Sequence, residues 1–163
     1  MNNLSITPRS LIKDPGHLLS FGFGSGLAPV APGTFGTLAA VPFYLLAATV
    51  FNPLSYALVT LLVCLLGVYL CGRTTRALGV HDHGAIVWDE FAGLFVTMLF
   101  ITPSLFTVIL GFGLFRLFDI VKPWPISVID SRVKGGVGVM LDDIIAGVYA
   151  GIILHLIVYF FKL

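Results

Sequence analysis

Eight acidic residues are all this chain carries in 163 positions, and most fall in three short clusters that could do chemistry. The segment "VHDHGAIVWDEFAG" brings His81, Asp82, His83, Asp89 and Glu90 within ten residues. The segment "GGVGVMLDDIIAGVYAG" places Asp142 and Asp143 side by side inside an apolar run. Two adjacent carboxylates repel each other unless a cation lies between them. With Glu90, and with Asp89 beside it, they make a hard, oxygen-rich set that suits Mg²⁺ better than Zn²⁺. The segment "FRLFDIVKPWPI" sets Arg116, Asp119 and Lys122 three apart, on one arc of a helix. Cations beside an acidic cluster can clamp a phosphate. A structural Arg116–Asp119 salt bridge at i, i+3 explains the same spacing, and a solvated helix start explains Asp89 and Glu90.

The elements that must position these residues are membrane helices. Hydrophobic residues make up 58% and charged residues 10% of the chain, where a soluble domain carries about 25% charged. The mean hydropathy is +1.03. Net charge is +1, with no basic run, so nucleic acid is not an expected partner. Residues 1–16 lack the apolar core of a signal peptide. The expected fold is all-α, a polytopic helical bundle forming a single domain over residues 1–163. Five spans are expected, over Thr34–Phe51, Leu54–Cys71, Ile86–Ile101, Leu105–Val121 and Val139–Phe161. An N-terminal Gly/Pro-rich interfacial loop, "FGFGSGLAPVAPGTFGT", leads into the first. Its glycines and Thr34, at the mouth of the helix, can cradle an anion.

Lys and Arg set the orientation. Arg9, Lys13, Arg73, Arg76, Lys122, Arg132 and Lys134 all fall on one side of this five-span arrangement, while Lys162 alone falls opposite. The positive-inside rule makes that side cytoplasmic. The acids lie on the same side or within a turn or two of it, as an active site at the cytoplasmic face requires. Gly147 and Gly151 form a small-xxx-small face on which a neighbouring helix can pack, so that Asp142 and Asp143 lie between helices and not in lipid. Cys64 and Cys71 are expected to be buried small hydrophobes and His155 a hydrogen-bonded packing residue.

Four segments in order, "GFGSGLAPVAPGTFGTLAA", "VHDHGAIVWDE", "FRLFDIVKPWPI" and "GGVGVMLDDIIAGV", resemble the phosphatidylglycerophosphatase A family from about His17 to Gly151. The resemblance implies a bacterial inner-membrane, multi-pass, Mg²⁺-dependent phosphatase that converts phosphatidylglycerophosphate to phosphatidylglycerol and phosphate. No obligate protein partner is evident. Ala28, Thr37 and Ala85 stand where the family pattern has serine, so no catalytic hydroxyl is expected at Ala28 or Ala85. In the mechanism this suggests, Glu90, Asp142, Asp143 and Asp89 hold the metal. Arg116 and Lys122, with Thr34 and Lys134, meet the phosphate. Asp82, His81 or His83 moves a proton, with Asp89 and Asp119 also in the catalytic set. Two other classes fit a small membrane protein with clustered acids. An ion-coupled transporter would favour mid-membrane acids and inverted repeats, and a CDP-alcohol phosphotransferase would need a D-x2-D-G-x2-A-R run that this chain lacks.

Overall fold

A computed structural model describes residues 8–80 and 83–162. It is all-α. In chain order the helices are α1 (Pro8–Leu11), α2 (Pro15–Ser20), α3 (Pro32–Val50), α4 (Pro53–Leu78), α5 (Trp88–Thr97), α6 (Leu105–Val121), α7 (Ile126–Arg132) and α8 (Gly135–Phe161), with a 3-10 segment over Gly22–Leu27. Prolines open several of them, where a missing N–H costs nothing. Ser104 and Thr107 form a reciprocal cap on α6.

Three helices, α3, α4 and α8, are long and apolar enough to cross a membrane, at 19, 26 and 27 residues. The first two extend beyond or shift from the expected spans by a few residues, and α4 runs on through Arg73 and Arg76 to Leu78. Helix α6 has the expected bounds and 17 residues. The expected span over Ile86–Ile101 takes a different form. Helix α5 has only ten residues, about 15 Å of rise against a hydrocarbon core of about 30 Å. Non-helical backbone follows it from Met98 to Ser104, with Phe100 in the left-handed region. This segment lines a recess together with Phe51 and Pro53 of the α3–α4 turn, so helix and irregular chain together reach that end of the bundle. Irregular backbone is tolerated at membrane depth only when protein covers it. Nine of the ten α5 residues are buried.

Helix α8 is the hub, packing against α4, α5, α6 and α7. Its contact with α5 is close because both sides are bare. A Cβ on Gly147 would strike the carbonyl of Gly93, and one on Gly151 would meet the carbonyl of Thr97. The small-residue face read from the sequence thus receives α5, and it brings Asp89 and Glu90 beside Asp142 and Asp143.

The N-terminal segment is tied to α4. Arg73 donates to both carboxylate oxygens of Asp14, at 2.7 and 2.9 Å, and the guanidinium holds that carboxyl down at about 2. Behind this pair, buried His17 Nδ1 lies 2.9 Å from Thr74 Oγ1, which donates to Ser20 Oγ at 2.8 Å. His155 Nδ1 lies 2.8 Å from the Gly151 carbonyl, within its own helix. Cys71 is buried, Cys64 partly so, and both are free.

Candidate active site

At one end of the bundle four helices and the α7 turn enclose a cavity of about 240 Å³. The first turn of α3 supplies Pro32 and Gly33, and α5 supplies Asp89 and Glu90. The last turn of α6 supplies Arg116 and Asp119, Lys122 follows at its C-cap, α7 gives Asp130, and α8 gives Asp142 and Asp143. Residues from five separate elements therefore share one space.

Three of the carboxylates converge most tightly. Asp89, Glu90 and Asp143 each offer an oxygen within 4.8 Å of the others. They are 8%, 9% and 4% exposed. Glu90 Oε2 and Asp143 Oδ2 have no hydrogen-bond partner. A buried carboxylate oxygen without a donor costs several kcal/mol when charged, so this arrangement fits a cation seated among the three. Oxygen-only ligands suit a hard divalent ion.

Asp142, grouped with the metal ligands in the sequence reading, has a different neighbour. Its Oδ2 accepts from Lys122 Nζ at 2.8 Å, and Asp130 Oδ1 lies 3.0 Å from the same nitrogen. Oδ1 of Asp142 is buried and unpartnered. Lys122 adopts φ 44° as the C-cap of α6, which turns the chain back so that its ammonium enters the cavity. Asp130 was not singled out from the sequence. Its only signal there is position, eight residues past Lys122 beyond a Pro-rich turn.

Arg116 serves the other side. Its Nη1 is 2.5 Å from Asp119 Oδ2 and 3.6 Å from Glu90 Oε1. Neither Nη1 nor Nε makes a well-directed hydrogen bond, although both are buried. The guanidinium lines the polar cavity with Nη1 ion-paired to Asp119 and Nε without a partner, so it can receive an oxyanion there.

The remaining residues are placed less centrally. Thr34 follows the cavity-lining Gly33, and its N–H bonds to the Ala31 carbonyl. Lys134 caps the start of α8 and lines a separate recess with Thr75, Arg76 and Gly79. His83 lines a shallow recess with Gly26, Leu27, Ala28 and Pro29, which shares Pro32 and Gly84 with the cavity. Its Nδ1 accepts from the Ala85 N–H at 3.1 Å, placing the proton of a neutral ring on Nε2. His81 and Asp82 lie outside the described residues.

Gly33 sets the tolerance of the site. A Cβ there would meet Glu90 Oε1 and both terminal nitrogens of Arg116. Those atoms end flexible side chains, so Gly33→Ala should leave the fold intact and displace the two groups instead. Activity should fall on the order of 10- to 100-fold with an unchanged melting profile in detergent. Full activity would show that neither group needs its observed position.

The chain matches the model of the phosphatidylglycerophosphatase A family over residues 18–158. It is 50% identical over 151 residues to phosphatidylglycerophosphatase A of Escherichia coli (strain K12), covering 91% of this chain and 87% of that one. It is 46% identical over 150 residues to the Haemophilus influenzae protein of the same name, covering 91% of each. A Bacteroides thetaiotaomicron protein provisionally named a phosphatidylinositol-3-phosphatase is 38% identical over 145 residues, 84% of this chain and 89% of that one. No solved structure matches the chain. The chain belongs to the phosphatidylglycerophosphatase A family.

Proposed function

We propose that this member of the phosphatidylglycerophosphatase A family removes the terminal phosphate of phosphatidylglycerophosphate, yielding phosphatidylglycerol and inorganic phosphate, with the α3–α5–α6–α8 cavity as its active site. The observation that carries the reading is the pairing, in one cavity, of a three-carboxylate cluster with a buried arginine whose Nε has no partner. Family membership supplies the substrate.

In this reading Asp89, Glu90 and Asp143 hold a divalent cation, Mg²⁺ by the hardness of the ligands. When bound, such an ion neutralises phosphoryl oxygens and lowers the pKa of a coordinated water. Arg116 presents Nε and Nη1 to the phosphate and keeps the charge that builds on its equatorial oxygens from being solvated by water. Lys122, held between Asp130 and Asp142, adds fixed positive charge at the mouth. Water supplies an oxygen to phosphorus, the bond from phosphorus to the glycerol oxygen breaks, and the leaving oxygen takes a proton. The segment His81–His83 provides that proton, with His83 Nε2 the described candidate, since its recess adjoins the cavity. Thr34 and the first turn of α3 favour the anion through the helix dipole.

The same reading assigns five crossings, with α5 and its irregular continuation as the third and α6 as the fourth. Cationic residues then set the cavity at the cytoplasmic face of a bacterial inner membrane. A phosphorylated headgroup can enter from that face while the acyl chains remain in hydrocarbon.

Purified protein in mixed micelles should release phosphate from phosphatidylglycerophosphate. The phosphatidylinositol-3-phosphatase name of the Bacteroides relative makes phosphatidylinositol 3-phosphate the informative comparison. We expect it to be turned over at least about tenfold more slowly, a difference of roughly 1.4 kcal/mol in transition-state binding. The reverse preference would overturn the headgroup assignment, and release from neither lipid would overturn the activity.

A further inference from the structure

The two cations that line the cavity are held in different ways. Arg116 and its ion-pair partner Asp119 are both shielded from water, with side chains 14% and 12% exposed. Lys122 stands between two carboxylates of unequal burial. Asp142 Oδ2 lies 2.8 Å from Nζ on a side chain 8% exposed, and Asp130 Oδ1 lies 3.0 Å from it on a side chain 40% exposed. One ammonium against two carboxylates leaves this trio with a net negative charge. An ammonium has three donors, so Lys122 has room for a further oxygen, but no surplus charge to attract an anion.

A phosphate that reaches Lys122 must therefore displace one carboxylate or bear its repulsion. Burial decides which one yields. Asp142 belongs to α8, the helix on which α4, α5, α6 and α7 pack, and its Oδ1 is already buried without a partner. Without Lys122 it would be a charged, buried and unpaired carboxylate, the costliest state for such a group. Asp130 belongs to the seven-residue α7, where Ile126 is buried and Asp130 is not. Once released, its carboxylate is hydrated, and a partly exposed ion pair gives up little when it opens.

We propose that Asp130 is an internal competitor for the substrate's phosphate. It pairs with Lys122 until the phosphorylated headgroup arrives and takes its place. The proposal rests on the phosphatase reading given above and deepens it, because it makes Asp130 a determinant of affinity for the lipid phosphate and for the inorganic phosphate released. Asp130 acts on binding and not on the bond that breaks, so it sets KM and leaves kcat alone. A holding role, in which Asp130 fixes the ammonium for the phosphate, predicts the opposite sign.

The test is steady-state phosphate release from phosphatidylglycerophosphate in mixed micelles with Mg²⁺, with inorganic phosphate as product inhibitor. Full-length wild type is compared with Asp130→Asn and Asp130→Glu. Asp130→Asn should lower KM and the inhibition constant of phosphate together, by about two- to fivefold, the range a partly exposed ion pair supports. Asp130→Glu keeps the competing charge and should keep both constants near wild type. Asp130→Ser removes the charge with a different side chain and repeats the comparison if the amide variant fails to fold. An unchanged or higher KM on loss of the charge would overturn the competitor role. An equal fall of KM in Asp130→Glu would also overturn it, since charge would not be what competes. Wild-type protein that releases no phosphate would overturn the phosphatase reading and this proposal with it.

Discussion

Asp143→Asn should abolish phosphate release while the protein still inserts and folds. The amide keeps the shape of the side chain and removes the charge that a divalent ion requires. Asp143 lies in the tight three-carboxylate group, so its loss removes one of the three ligands. The expected loss is at least about 10³-fold in kcat/KM, roughly 4 kcal/mol of transition-state stabilisation. The stability effect should run the other way. Without metal, Asp143 is a buried carboxylate beside other acids, and neutralising it relieves repulsion and desolvation. The metal-free variant should therefore melt at the wild-type temperature or above. A large fall in both activity and melting temperature would mean that Asp143 holds the helices together and would remove the argument for a ligand.

The second large effect concerns Arg116. As a structural partner it would exist to neutralise Asp119, and the double variant Arg116→Gln with Asp119→Asn should then recover much of what either single change loses. As a phosphate receptor it contacts the substrate, and the double variant should stay inactive. The unpartnered Nε and the place of the side chain in the cavity lining favour the receptor. Arg116→Lys separates charge from geometry, because lysine keeps the positive charge but lacks the planar fork. It should remain folded and lose at least about tenfold in kcat/KM, roughly 1.4 kcal/mol. Wild-type turnover in Arg116→Lys, or recovery in the double variant, would make Arg116 a scaffold and move phosphate binding to Lys122.

The gathering of the acids was legible in the sequence, because spacing and hydropathy together constrain it. A helix that crosses the bundle must begin and end at faces, and every acid cluster sits near a predicted boundary on one side. The α6 bounds could be read for the same reason, with Ser104 capping one end and Pro123 close after the other. Helix α5 could not. Hydropathy sums apolar residues without knowing what they face, and the residues of α5 face protein. The run Ile86–Ile101 is as apolar as a span, yet its helix ends at Thr97 and irregular backbone follows.

Pairing between cavity residues was less legible still. Nothing in the adjacency of Asp142 and Asp143 shows that one meets Lys122 while the other joins Asp89 and Glu90. Consecutive residues on a helix point about 100° apart, so their partners depend on which helices pack on each side. Asp130 reaches Lys122 only because the chain reverses after α6 and α7 folds back over the cavity. Lys134 belongs by charge to the same cationic set, but as N-cap of α8 it is directed to another recess.

The central claim is that carboxylate-bound metal and Arg116 act together on a lipid phosphomonoester in this cavity. The most direct test is phosphate release from phosphatidylglycerophosphate by purified wild-type protein, before and after removal of divalent cations with EDTA and after return of Mg²⁺. Activity should disappear on chelation and return with Mg²⁺. Undiminished turnover in excess EDTA would contradict the account.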